Sequence, residues 1–232
     1  MEFILRDGSR AADGRLDRLV QFDERSRSFP IRSEVEGQRP RSYTWSVGAH
    51  LDQGREGACV GFAMAHELIA RPAVVEGVTA SDALRIYKAA QKIDPWPGED
   101  YEGTSTLAGV KTIASDGHLK EYRWAFGLED LILAVGYHGP ALIGVNWYEG
   151  MFDTDRDGFI HHSGLIAGGH CTLVHSVNVP GEFFRIHNSW GPEWGVGGDA
   201  KISWVDMGRL LAEDGEACIP TVRIRHVEVG SG

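Results

Sequence analysis

Four polar residues in this chain have the types and the order that thiol acyl transfer needs. Cys59 is the candidate nucleophile, and Gln53 precedes it by six residues, with Gly54 and Gly57 between them. His170 follows Gly168 and Gly169, and Asn188 opens the run Asn188-Ser189-Trp190-Gly191. A thiol attacks a carbonyl only as its thiolate, so its pKa has to be lowered. The positive end of a helix does this, and so does a neighbouring imidazolium, the role open to His170. An asparagine oxygen, here Asn188, can fix the imidazole ring without adding charge. Gln53 and the backbone N–H of Cys59 can donate to the oxyanion that develops on the attacked carbonyl.

Such groups work only if separate elements carry them to one place. Val60, Ala63, Met64, Glu67 and Leu68 have helical spacing, which puts Cys59 at a helix start, and Pro72 marks the end. Further helices are expected over residues 81–93, with Thr79 and Asp82 as a capping pair, over 105–115 behind Thr104, and over 129–138. From Pro140 onward the pattern changes. Residues 141–146, 171–179, 183–187, 200–204 and 221–229 are short, rich in β-branched and aromatic side chains, and separated by turn residues. Helices first and strands later imply an α+β class, with a helical lobe over about 50–138 and a sheet lobe over about 139–230.

Composition narrows the function classes. The chain has 232 residues, 42% hydrophobic and 24% charged, as expected of a globular protein. Its net charge is −10, but residues 1–41 hold nine arginines against eight acids, about +1, which leaves about −11 on the rest. An acidic body is a poor nucleic-acid partner. Three cysteines (Cys59, Cys171 and Cys218) are no disulfide framework, and no apolar run approaches membrane-spanning length. The N-terminus has no basic-then-apolar leader pattern, so a cytoplasmic location is the expectation.

The segment Gln53-Gly54-Arg55-Glu56-Gly57-Ala58-Cys59 resembles the active-site segment of papain-like cysteine peptidases. Gly168-Gly169-His170 looks like that family's histidine strand. Phe184 to Gly191, with Trp194, Gly195 and Gly198, is similar to its asparagine segment and following turn. The three motifs come in the family's order, over about residues 42–230. The resemblance implies an N-terminal helical lobe, a C-terminal antiparallel sheet or barrel lobe, and an active site in the cleft between them. It assigns Cys59 as nucleophile, His170 as general base and acid, Asn188 as orienter, Gln53 as oxyanion donor and Trp190 as a shield over the His–Asn bond. It also implies that Gly103 pairs with substrate backbone and that Cys171 walls the main specificity pocket, which favours an apolar substrate side chain.

The departures are informative. Glu56 and Val60 stand where secreted members have cysteine and tryptophan, so the nucleophile helix is expected to be anchored by packing alone. Asp199 replaces a tyrosine. The Cys59–His170 separation is 111 residues, shorter than the roughly 130–150 of the secreted branch and more like the compact bacterial, archaeal and viral members. Residues 1–41 are too few for a full pro-domain; they are read as an extension, either a short latch across the cleft or a tail. Asp153, Asp155 and Asp157 before Gly158 match half of an EF-hand loop, but Gly164 stands where the closing glutamate is needed, so Ca²⁺ is a weak candidate there. No cofactor is expected. The expected activity is endopeptidase hydrolysis of a peptide or protein substrate. The alternatives are an acyl-transfer relative (transpeptidase, deamidase or isopeptidase) and a catalytically silent peptide-binding module.

Overall fold

A computed structural model describes residues 2–97 and 103–224. In chain order the elements are β1 (Phe3–Ile4), β2 (Arg10–Ala11), β3 (Arg18–Leu19), α1 (Arg32–Val35), β4 (Tyr43–Thr44), α2 (Cys59–Ile69), α3 (Ala80–Ile93), β5 (Thr104–Ser105), α4 (Thr106–Ser115), β6 (Leu119–Ala125), α5 (Leu128–Tyr137), β7 (Ala141–Tyr148), β8 (Ile166–Asn178), β9 (Phe183–His187), β10 (Asp199–Ser203), α6 (Trp204–Ala212) and β11 (Glu216–Arg223). The class is α+β. Seven antiparallel strands form one open sheet, in the order β10-β9-β8-β7-β11-β6 with β4 on β8. The described strands form no closed barrel. No helix among the described residues is long and apolar enough to cross a membrane.

The centre of the molecule is α2. Every residue from Cys59 to Leu68 is buried, so this helix has no solvent face. It lies against α3 and α4 on one side and β8 on the other. Close approach to α3 depends on Gly61, where a Cβ would collide with the Ala83 carbonyl and lie 2.7 Å from the Tyr87 Cβ. Helix α3 begins as expected, with a reciprocal capping box between Thr79 and Asp82. The cap of α4 is Ser105, whose hydroxyl accepts from the Ala108 N–H, one residue later than expected because the Thr104 hydroxyl is turned to Asp94.

Some elements depart from the sequence reading. Strand β6 and helix α5 fall in the helical half of the sequence, yet β6 pairs with β11 and α5 packs on the sheet core through Leu131, Ile132 and Val135. The charges of Leu119–Ala125 hide its strand character, because this edge strand half-exposes its Lys, Glu and Arg. Helix α6 follows directly on β10, where no helix was expected; Ser203 caps it by accepting from Asp206 N. The strand expected over 221–229 begins at Glu216, and residues 225–232 lie outside the described set. Leu5, Ala11, Leu16, Leu19, Ile31 and Val35 are buried in the same core as α5 and the sheet, so the N-terminal segment is built into the molecule.

Packing alone does not anchor α2. Its Glu67 carboxylate accepts from Arg223 Nε of β11 at 2.6 Å, with both side chains almost fully buried. Arg223 also donates to the carbonyls of His138 and Pro140. Burial raises the Glu67 pKa, and the Arg223 charge opposes that rise. Removing one member of a buried pair costs roughly 3–5 kcal/mol, whereas replacing both with apolar groups is near neutral. Arg223→Met is therefore expected to lower the urea unfolding free energy by about 3 kcal/mol or more, and Glu67→Leu/Arg223→Met to recover most of the loss.

Candidate active site

Cys59, His170 and Asn188 sit at an element's end or on a central strand, and Gln53 lies in the loop before α2. Cys59 is the first residue of α2, with its N–H among the donors that have no acceptor within the helix itself. His170 lies within β8, directly before Cys171, whose N–H points to Cys59 Sγ at 3.4 Å. That contact brings the histidine strand onto the nucleophile. Asn188 follows β9, and its Oδ1 is 2.7 Å from His170 Nε2 while also accepting from Ser189 N. Trp190 covers this pair, with its ring centroid 5.0 Å from that of His170, and Trp147 packs against both rings, 4.7 Å from His170 and 5.4 Å from Trp190. Gln53 is buried; its Oε1 accepts from the Ser189 hydroxyl at 2.6 Å, tying the oxyanion-side loop to the asparagine loop.

The cleft is filled by the chain's own N-terminal segment. Asp17 forms a parallel bridge to Gly169, and β3 pairs in parallel with β5. Gly168 and Gly169 make this possible: a Cβ on Gly168 would lie 2.8 Å from the Leu16 Cβ, and one on Gly169 would collide with the Arg18 carbonyl. Gly103, at φ +109°, lies against the Asp17 carbonyl on the other wall. The edge expected to hold substrate backbone thus holds residues 17–19 instead.

The contacts at the nucleophile are specific. Asp17 Oδ1 accepts from Cys59 Sγ at 2.9 Å and lies 3.3 Å from Cys59 N. Gln53 Nε2 donates to the Arg15 carbonyl at 3.2 Å and to the Glu56 carbonyl at 2.6 Å. The Arg15 guanidinium stacks over Trp190 at 4.0 Å. The arm therefore engages both candidate oxyanion donors, the Cys59 thiol and the Trp190 ring.

This occupation sets the protonation states. Burial pushes the Cys59 thiol well above its ordinary pKa, and the Asp17 charge pushes it further. Burial brings His170 down to about 4; the Asn188 hydrogen bond opposes this, and the positive charge of Arg15 adds to it. The thiolate–imidazolium pair expected from the sequence is thus a neutral thiol and a neutral imidazole while the arm is seated.

Beside Cys171 the arm inserts Arg18, with its side chain fully buried. Its Nη2 donates to the Asp214 carbonyl at 2.7 Å and lies 3.3 Å from Glu216 Oε1. Thr106, Arg18 and Glu216 converge on Gly144, the β7 partner of Cys171, so a side chain there would fill the pocket. An apolar occupant was expected at this wall, but a guanidinium lies there. Asp17, Arg18 and Glu216 were not singled out in the sequence; the only signal was the excess of arginine before an acidic body.

The Asp153–Gly158 loop is a self-contained turn. Asp155 Oδ1 accepts from Asp157 N and Phe159 N, and Oδ2 contacts His161, so that carboxylate is already used.

No family model and no curated protein matches the sequence. Solved structures do match in three dimensions. Xylellain, a cysteine protease from Xylella fastidiosa, aligns with a TM-score of 0.66 at 17% identity, over 93% of this chain and 99% of that one. Digestive procathepsin L 3 of Tenebrio molitor larval midgut aligns at 0.60 and 13% identity, over 90% and 76%. Recombinant stem bromelain precursor aligns at 0.54 and 16% identity, over 89% and 75%. With its helical layer, open antiparallel sheet and cleft between them, the chain has the papain-like cysteine protease fold.

Proposed function

We propose that this protein is a cysteine endopeptidase that its N-terminal arm holds shut. The observation that carries the reading is the 2.7 Å His170–Asn188 bond beside a cysteine at the start of a buried helix. A silent peptide binder has no need for the two oxyanion donors or the oriented imidazole. Once the arm leaves, the thiol loses the Asp17 charge and regains solvent, and the α2 N-terminus then favours the thiolate. The Cys59 proton passes to His170, the thiolate adds to a peptide carbonyl, and Cys59 N–H with Gln53 Nε2 receives the oxyanion. Collapse of the adduct breaks the C–N bond, and His170 gives its proton to the departing amine. Water, deprotonated by His170, then adds to the thioester and releases the acid and the thiol.

The arm itself escapes this chemistry. The group on Cys59 is the Asp17 side-chain carboxylate, a poor electrophile, and not a backbone carbonyl. Its neighbour Arg18 supports a substrate class: a peptide that places an arginine or lysine in the pocket ending at Glu216 and the Asp214 carbonyl.

Four outcomes are expected. In the full chain, an epoxysuccinyl thiol reagent should label Cys59 slowly at pH 7 and faster as pH rises, since a raised thiol pKa leaves little thiolate. Asp17→Ala/Arg18→Ala should accelerate labelling at least about tenfold, read by mass mapping that separates Cys59 from Cys171 and Cys218; an unchanged rate rejects the inhibitory arm. In that variant, hydrolysis of a peptide library should vanish with Cys59→Ala, and persistence of cleavage rejects the peptidase reading. With the arm variant as background, Glu216→Gln should lower kcat/KM for basic-residue substrates at least about tenfold, or roughly 1.4 kcal/mol. Apolar substrates should change little.

A further inference from the structure

Behind the asparagine of the site lies a cluster that the peptidase chemistry does not use. His50, His66, His175, His187 and Asp199 meet where the segment before α2, α2 itself, β8, β9 and β10 converge. The His50 and His187 rings are 4.0 Å apart, those of His66 and His187 4.5 Å, and those of His175 and His187 6.1 Å. Asp199 sits among them, with Oδ1 2.8 Å from His187 Nδ1 and Oδ2 3.1 Å from His175 Nε2.

The hydrogen bonds sort these groups by role. His175 uses its second nitrogen toward the Trp45 carbonyl, so it serves to hold Asp199. His66 Nε2 accepts from Leu51 N, which places its proton on Nδ1. His187 turns Nδ1 toward Asp199 Oδ1 in a residue with no exposed surface, so an ion held by both would take the place of the proton between them. His50 Nδ1 is buried and unbonded. A buried nitrogen lone pair with no donor costs free energy unless something accepts it.

We propose that His50, His187 and Asp199 form a binding site for a divalent transition metal of the zinc class. One donor atom from each lies within 4.8 Å of the other two. A tetrahedral ion with bonds of 2.0–2.1 Å needs its ligands about 3.3 Å apart, so side-chain rotations of roughly 1–1.5 Å close the set. Two imidazoles and one carboxylate are borderline-to-hard donors that suit Zn²⁺ or Co²⁺ over Mg²⁺ or Ca²⁺. Their charges sum to −1, so a dication leaves the site at +1. His175 on the carboxylate is the kind of outer partner that orients a metal ligand. The ion would join the segment before Gln53 to the end of β9, one residue before Asn188, and so brace the catalytic loops without touching substrate.

The test is equilibrium dialysis of the full chain against micromolar Zn²⁺, with bound metal quantified, and Co²⁺ absorption as a second readout of coordination. One zinc per chain is expected in the wild type, with a tetrahedral-type Co²⁺ spectrum. His50→Gln and His187→Gln should each lose at least nine-tenths of that binding, while exposed His161→Gln retains it. Melting curves in chelator establish that each variant folds. If His187→Gln does not fold, His50→Gln decides. No stoichiometric zinc on the wild type, or full retention in His50→Gln, overturns the proposal. Neither result bears on the peptidase reading, which is measured at Cys59.

Discussion

The structure turns on the burial of one helix start. Cys59 can be the first residue of α2 and fully enclosed only if its N–H and thiol find acceptors other than water, because a buried unpaired donor costs roughly 1–3 kcal/mol. Asp17 Oδ1 meets both. The arm that brings this carboxylate needs a side-chain-free track, and Gly168, Gly169 and Gly103 provide it on the two walls of the cleft. The aromatic cover of Trp190 and Trp147 then sees Arg15 instead of solvent. Cleft, arm and nucleophile are thus a single packed unit in this state.

On the proposed peptidase reading, the same burial accounts for a quiet site. Catalysis needs the charged forms of Cys59 and His170, and a low-dielectric enclosure penalises both. Displacing the arm restores water to the thiol and removes the Asp17 carboxylate, so one motion shifts both groups in the useful direction. No rearrangement of Asn188 or Gln53 is required, because their bonds to His170 and Ser189 lie within the body of the protein, outside the arm.

What could be read from the sequence was what is local. The helix behind Cys59 has a burial pattern that neighbouring residues display, Thr79 and Asp82 announce their own cap, and the strand Phe183–His187 alternates as a strand should. The residues around Gln53, Cys59, His170 and Asn188 resemble a family segment by segment, so they could be named as candidates before their geometry was known. What was not legible depends on distant partners. Asp17 gains its meaning from a residue 42 positions away, and Arg18 from one 198 away. Arg223 was an unremarkable strand residue until it met Glu67. The histidines 50, 66, 175 and 187 are scattered along the sequence and become a cluster only when α2 and the sheet pack together. Strand β6 was hidden because an edge strand keeps its charges.

The arm is fastened on both sides of the cleft. Leu5 and Ala11 are buried before the blocking residues, and Ile31 and Val35 after them. Between the anchors, Glu24–Ser28 is an exposed turn with no buried residue. A segment held at both ends faces the cleft at an effective concentration on the order of millimolar, set by the chain and not by the cell. A scission in that turn would leave each half anchored by its own core residues, so the arm would persist as a bound peptide and one nick would not open the cleft. Opening the cleft is therefore a matter of displacement: whatever enters must outcompete a ligand that has never left the molecule.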